Sequence, residues 1–280
     1  MDENTKKQLK VFACKARIGV LDGVYNAKAG HPGGSLSICD VLSYLYNIEM
    51  NIDSKNPKME NRDRLVLSKG HAAPALYATL ALKGFFPVED LKTLRKSDSY
   101  LQGHPNMDKT PGIDMSTGSL GQGISAAVGM ALGAKLDNKD YRVYTILGDG
   151  EIEEGQVWEA AMFAGNKKLD NLIAFIDYNG LQIDGSIEEV NSAFPIAEKF
   201  KAFKWNVIEI DGHDFDAIDK AVKSAHSCLD MPTAIVMKTA KGKGVSYMEN
   251  QVNWHGAAPN EELYNKAIDE LKTALAELEA

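Results

Sequence analysis

The sequence predicts an α/β fold, a parallel sheet with helices on both faces. Three observations carry that expectation. Short apolar, β-rich runs at 64–68, 141–147, 171–177, 206–210 and 233–238 alternate with helical segments, the pattern of a parallel sheet covered on both sides. Glycine-rich loops follow several of these runs, where an open parallel sheet gathers ligands. No Pro/Gly/Ser-rich linker divides the chain, so residues 1–280 read as a single domain.

Taken in order, residues 5–28 carry a broad apolar helical face (Leu9, Phe12, Ala13, Ala16, Ile18, Val20) and stop at Ala29-Gly30. Gly30-His31-Pro32-Gly33-Gly34-Ser35-Leu36-Ser37 reads as a rigid, close-approach loop, with Ser35 or Ser37 capping a helix from Ile38 to Tyr46. Residues 49–63 are polar surface loop. The strand at 64–68 runs into Lys69-Gly70-His71-Ala72 and a helix from Ala73 to Lys83. A second helix, with Pro87 in its first turn, is expected to reach Lys96.

Residues 99–120 lack periodicity, which inside a compact domain points to function. An Ala- and Gly-rich helix follows from Ile124 to Leu136. Helices are also expected at 153–168, 188–202, 214–227 and 259–279.

Composition excludes several classes. Apolar residues make up 44% of 280, enough for a full core. A net charge of -8 and a pI near 5.3 argue against nucleic acid. Cys14, Cys39 and Cys228 are far apart and read as reduced thiols in a cytoplasmic protein. The N-terminus lacks the apolar core of a signal peptide, and no apolar run approaches the ~20 residues of a membrane span.

The informative stretch runs from Gly148-Asp149-Gly150 to Asn179-Gly180-Leu181-Gln182-Ile183-Asp184-Gly185. It is a strand–helix–strand unit, with Asp149 ending the first strand and Asn179 just past the second. Two hard oxygens at neighbouring strand ends suit one Mg²⁺ bound to a diphosphate. The Leu181 carbonyl is a candidate third ligand. Gly148 and Gly150 let the main chain approach phosphates, and a helix beginning near Glu153 would turn its N-terminus toward them. Glu151, Glu153 and Glu154 crowd this anion site, so they are expected to point away, toward a subunit interface. Lys241 and Lys243 in Lys-Gly-Lys-Gly form either a phosphate-facing lid or a solvated basic loop. His213 and His226 read as surface residues.

Asp149 and Asn179, 30 residues apart, resemble the diphosphate-binding motif of thiamine-diphosphate enzymes. Gly30-His31-Pro32-Gly33, Arg62-Asp63-Arg64, Ser68-Lys69-Gly70-His71-Ala72, Gly103-His104-Pro105, Thr117-Gly118-Ser119-Leu120-Gly121-Gln122-Gly123, Asp184-Gly185 and His255-Gly256 occur in the order found in the transketolase family. Over residues 10 to 260 the chain therefore resembles the diphosphate-binding, N-terminal part of a transketolase, with the thiamine-diphosphate-binding fold.

The resemblance implies roles residue by residue. Asp149, Asn179 and the Leu181 carbonyl would hold Mg²⁺ (or Ca²⁺ or Mn²⁺ in its place). Gly150 and His71 would contact the diphosphate, with His255 nearby. Gly118 and Leu120 would bound the aminopyrimidine. Glu154 would hydrogen-bond a partner's catalytic glutamate across the interface. His31, His71, His104 and His255 would surround the reacting carbon and the sugar hydroxyls. Three of these four follow a glycine, in loops.

The family's glutamate that activates the cofactor, and most of its substrate-phosphate ligands, lie in a second domain not found in these 280 residues. The expectation is therefore one subunit of a split, cytoplasmic transketolase. It would need a C-terminal, pyrimidine-binding subunit, assemble as a heterotetramer, and move a two-carbon ketol unit between sugar phosphates, as in the pentose phosphate pathway. Neither nucleic acid nor membrane is an expected partner. Alternatives are a 1-deoxyxylulose-5-phosphate-synthase-like activity, a split relative acting on another sugar, or a non-catalytic cofactor-binding subunit.

Overall fold

The computed structural model describes residues 1–280. Five parallel strands form the central sheet: β1 (Arg64–Leu67), β2 (Val143–Gly148), β3 (Leu172–Tyr178), β6 (Asn206–Asp211) and β7 (Thr233–Lys238). Their order is β1-β2-β3-β7-β6, and every pairing is parallel. A two-stranded antiparallel ribbon, β4 (Leu181–Gln182) with β5 (Gly185–Ser186), projects beyond β3. Because the five strands run the same way, their carboxyl ends share one edge of the sheet, where the glycine-rich loops emerge.

Period-two alternation along the strands feeds two separate cores. Leu65, Leu67, Tyr144, Ile146, Ile173, Phe175, Ile235 and Met237 face one side. There they meet α1 (Glu3–Ala27), α3 (Cys39–Tyr44), α4 (Ala73–Leu82), α9 (Phe215–Ser227) and α10 (Glu261–Glu279). Val66, Val143, Leu147, Leu172, Ala174, Ile176, Ala234 and Val236 face the other, against α5 (Gln122–Leu136), α6 (Gly155–Asn166) and α8 (Ile196–Ala202). The α/β class with both faces covered is as expected.

Some elements depart from expectation. Pro32–Leu36 is itself a short helix, α2, and neither serine caps α3. Both hydroxyls donate instead, Ser35 to the His31 carbonyl and Ser37 to the Gly34 carbonyl and Asp177. The helix expected to reach Lys96 is only a 3₁₀ segment, Val88–Thr93. Arg95, at φ 61°, turns the chain so that its N–H reaches the Leu101 carbonyl.

The segment 188–202 is two helices, α7 (Ile187–Val190) and α8. Pro195, which has no N–H to donate, stands where the second begins. The helix placed near Glu153 starts at Gly155, after a 3₁₀ turn at Glu151–Glu153.

Candidate active site

A cleft of about 290 Å³ opens at the carboxyl edge of the sheet. Its wall is built from the ends of β1, β2, β3 and β7 and from the His31 and His255 loops. It contains His31, His71, Gly118, Leu120, Asp149, Gly150, Asn179, Leu181, Lys241 and His255. Residues 224 positions apart in sequence thus share one surface.

Asp149 leaves β2 and is buried. Its carboxylate accepts from the Gly150 N–H at 2.9 Å and the Gly180 N–H at 2.6 Å. That second bond brings the β2 end onto the turn after β3. In that turn Asn179 Oδ1 accepts from the Leu181 N–H at 3.2 Å, and Asn179 Nδ2 donates to Asp177 at 3.0 Å. Burial, and then the Asp177 carboxylate, push the Asp149 carboxyl upward.

Opposite them, Lys241 Nζ donates to the Leu181 carbonyl at 2.9 Å. Lys241 is 2% exposed, and burial followed by repulsion from Lys69 pushes its ammonium down. Lys243 instead faces outward toward Glu249 at 3.5 Å. Of the two lysines in that loop, one faces the cleft and one the solvent.

The histidines converge. Ring centroids lie 5.3 Å apart for His31–His71 and His71–His255, 5.6 Å for His31–His255, and 6.4 Å for His31–His104. Burial, joined by neighbouring cationic side chains, lowers His31 to about 4 and His255 to about 3, and holds His71 well below its usual value. His104 is lowered as well, by burial and then Arg95. These rings are neutral near pH 7. The Nδ1 atoms of His31 and His255 are buried without a partner, leaving polar atoms available to a ligand.

Close backbone packing holds this arrangement. A Cβ on Gly70 would sit 2.6 Å from the Gly118 nitrogen. Gly118 itself adopts φ 145°, and a side chain there would meet the His104 ring at 3.0 Å.

A family model described as transketolase, thiamine diphosphate binding domain, matches residues 9–276. The chain belongs to the transketolase family.

Among its relatives, the 6-deoxy-6-sulfo-D-fructose transketolase subunit SqwG of Clostridium sp. (strain MSTE9) is 52% identical over 90% of this chain and 92% of that protein. An apulose-4-phosphate transketolase subunit of Phocaeicola vulgatus is 44% identical over 97% of this chain and 96% of its own length. Rat transketolase is 40% identical over 96% of this chain but only 43% of its own length. In structure, the Campylobacter jejuni transketolase superposes with a TM-score of 0.90 at 34% identity, covering 99% of this chain and 46% of that one. The chain therefore corresponds to the N-terminal, thiamine-diphosphate-binding part of a transketolase, a transferase, at the size of the subunit forms. No helix is long and apolar enough to cross a membrane.

With the transketolase frame in place, the sequence-based expectations divide. Every candidate except His104 and Glu154 lines the cleft, and His104 stands beside His31. Glu154 lies outside it, exposed at the start of α6 and packed against Gly121.

Glu151 corrects one expectation. It points inward and is buried, accepting from Ser68 at 2.5 Å and from the Gly121 and Gly148 N–H groups at 3.0 Å each. Three donors supply what its distance from water removes.

The surface reading of His213 and His226 holds only in part, since both are half-buried and each meets a carboxylate. His213 joins Asp40 to Ala240, and His226 Nε2 lies 2.8 Å from Glu49.

Two residues at the floor of this transketolase cleft, Lys69 and Asp177, have roles that the motifs do not announce. Asp177 is fully buried and accepts from Lys69, Ser37, Asn179 and Thr239. Burial pushes its carboxyl up, but Lys69 and the hydroxyl donors overcome that, and the group is held below its usual value. A signal for it exists in the sequence, since a lone carboxylate in an otherwise apolar strand requires a buried partner.

Proposed function

We propose that the chain is the N-terminal subunit of a two-chain transketolase. It binds thiamine diphosphate through Mg²⁺ and, only with a C-terminal subunit, transfers a two-carbon ketol unit from a ketose phosphate to an aldose phosphate. The observation that carries the reading is the Asp149–Gly180 contact. It brings a carboxylate onto the turn that carries the Asn179 amide and the Leu181 carbonyl, oxygens of the kind that suit a hard cation.

When bound, thiamine diphosphate supplies the nucleophilic carbon that takes up and releases the ketol unit. The chain's own groups do the rest. Asp149, Asn179 and Leu181 hold the metal, and the Gly150 backbone, His71 and Lys241 face the diphosphate. Gly118 and Leu120 border the aminopyrimidine, and the neutral rings of His31, His71, His104 and His255 exchange protons and hydrogen bonds with sugar oxygens.

The dependence on a partner rests on carboxylates. The cleft contains two, Asp149 and Glu151, and both already accept backbone N–H bonds. Asp149 is assigned to the metal and Glu151 is held by three donors, so the carboxyl that protonates the aminopyrimidine is assigned to the second subunit, beside the exposed Glu154. The substrates named for the two subunit relatives, a sulfonated and a phosphorylated sugar, support a ketose with an anionic end.

The test assays ketol transfer by the chain on its own, by a C-terminal transketolase partner on its own, and by the mixture, each with thiamine diphosphate and Mg²⁺, across a panel of ketose phosphates and a sulfoketose. Activity confined to the mixture is expected. Full activity of the chain on its own overturns the split assignment, and no cofactor binding by the mixture overturns the whole reading.

A further inference from the structure

The segment after β7 carries Lys241 into the cleft, and its backbone is held from an unexpected direction. The Ala240 N–H donates to His213 Nε2 at 2.9 Å. His213 lies in the loop after β6, and its Nδ1 is 2.7 Å from Asp40 Oδ2 on α3. Asp40 is buried and paired with Arg17 of α1 at 2.5 Å. None of these three side chains lines the cleft.

The neighbours fix the imidazole's tautomer. A carboxylate can only accept, so Nδ1 carries the proton toward Asp40. A backbone N–H can only donate, so Nε2 is bare toward Ala240. One residue further on, Lys241 is held by its side chain on the Leu181 carbonyl and by its own carbonyl, which accepts from the Asn250 N–H at 2.8 Å. The neighbouring Gly242 N–H reaches the Gly33 carbonyl at 2.9 Å.

We infer that His213 is a positioning residue for the cofactor site: oriented by Asp40 and Arg17, it fixes the Ala240 backbone and so aims the Lys241 ammonium at the diphosphate side of the cleft. This role rests on the chain binding thiamine diphosphate as proposed. His213 touches no ligand and acts through Lys241.

Two substitutions separate this role from plain structural support. In H213Q the side-chain carbonyl reaches the Nε2 position and still accepts from Ala240. In H213N the shorter amide reaches only the Nδ1 position, keeping a donor for Asp40 and losing the acceptor for Ala240. Each variant is assembled with the C-terminal partner, and the dissociation constant for thiamine diphosphate is measured by titration calorimetry at fixed Mg²⁺.

H213N is expected to weaken binding about tenfold, the factor for loss of one well-placed polar contact, while H213Q stays within about threefold. In a K241M background, H213N adds less than about twofold, because the two act as a unit. H213N binding like the wild type overturns the inference. So does H213Q as weak as H213N, or an H213N effect that persists undiminished beside K241M. Binding by the wild type with no H213N effect sinks the inference alone; no binding by the wild-type complex sinks the proposed function as well. A measurement independent of variant folding is the ¹⁵N spectrum of the wild-type histidines. It should show His213 protonated at Nδ1 and bare at Nε2; a proton on Nε2 overturns the inference.

Discussion

Lys69 Nζ lies 2.5 Å from Asp177 Oδ2, and neither side chain reaches solvent. The pair joins the loop after β1 to the end of β3 at the floor of the cleft, which Lys69 helps to line. Removing one partner leaves a buried, uncompensated charge. Lys69→Met is expected to cost about 3–5 kcal/mol in urea unfolding. Adding Asp177→Leu should recover part of that loss, so the double variant is more stable than the sum of the two singles.

Asp149 is the only carboxylate among the proposed metal ligands. Asp149→Asn should weaken thiamine diphosphate binding at saturating Mg²⁺ by at least about 100-fold, since loss of mere supporting contacts around a metal costs about 10–100-fold. Titration calorimetry with and without Mg²⁺ checks it. A variant that keeps its metal dependence would remove Asp149 from the ligand set.

His31 gives a pH prediction with a definite sign. Its ordinary value is 6.5, and burial with nearby cationic groups lowers the folded value to about 4. Between these values the unfolded chain binds the proton and the folded chain does not, so folding stability rises with pH across the window. The contribution is fully present above 6.5 and is lost as pH falls toward 4. His31→Gln should flatten the acid side of a stability–pH curve by roughly 1–3 kcal/mol, a range that allows for partial exposure of the ring. Denaturant midpoints between pH 4 and 7 measure it.

Glu151 ties three segments together, through Ser68, Gly121 and Gly148. In Glu151→Gln the amide nitrogen must face at least one of these donors. A loss of about 1–3 kcal/mol is expected, together with weaker cofactor binding, because the same bond fixes the loop bearing Gly118 and Leu120. Unchanged stability would mean that a rotated Ser68 hydroxyl absorbs the change.

The elements of this fold were legible where local pattern governs. The strands at 64–67, 143–148, 172–178, 206–211 and 233–238 lie where the apolar runs placed them. Spacing could not supply events decided by distant partners. Ser37 looked like a helix cap and instead donates to Asp177, 140 residues away. Glu151 looked like part of an outward acidic cluster, and its burial is decided by Ser68 and Gly121. His213 follows glycine in a polar loop, where a solvent-facing ring is the default; only the approach of Asp40 and Ala240 makes it a half-buried connector. Within the cleft, the motif residues other than His104 and Glu154 come together, whereas no motif announced the Lys69–Asp177 pair at its floor.

The cleft joins the loop at His31 to the loop at His255, passing through every strand end of the sheet but that of β6. Its contacts span 108 residues for Lys69–Asp177 and 60 for Lys241–Leu181, so no short segment can build it. Contacts of such long range close late, after loop entropy has been lost. Cofactor capture therefore reports a finished fold: a chain still missing β7 has no Lys241 to present, and a nascent or partly unfolded chain cannot build the cleft.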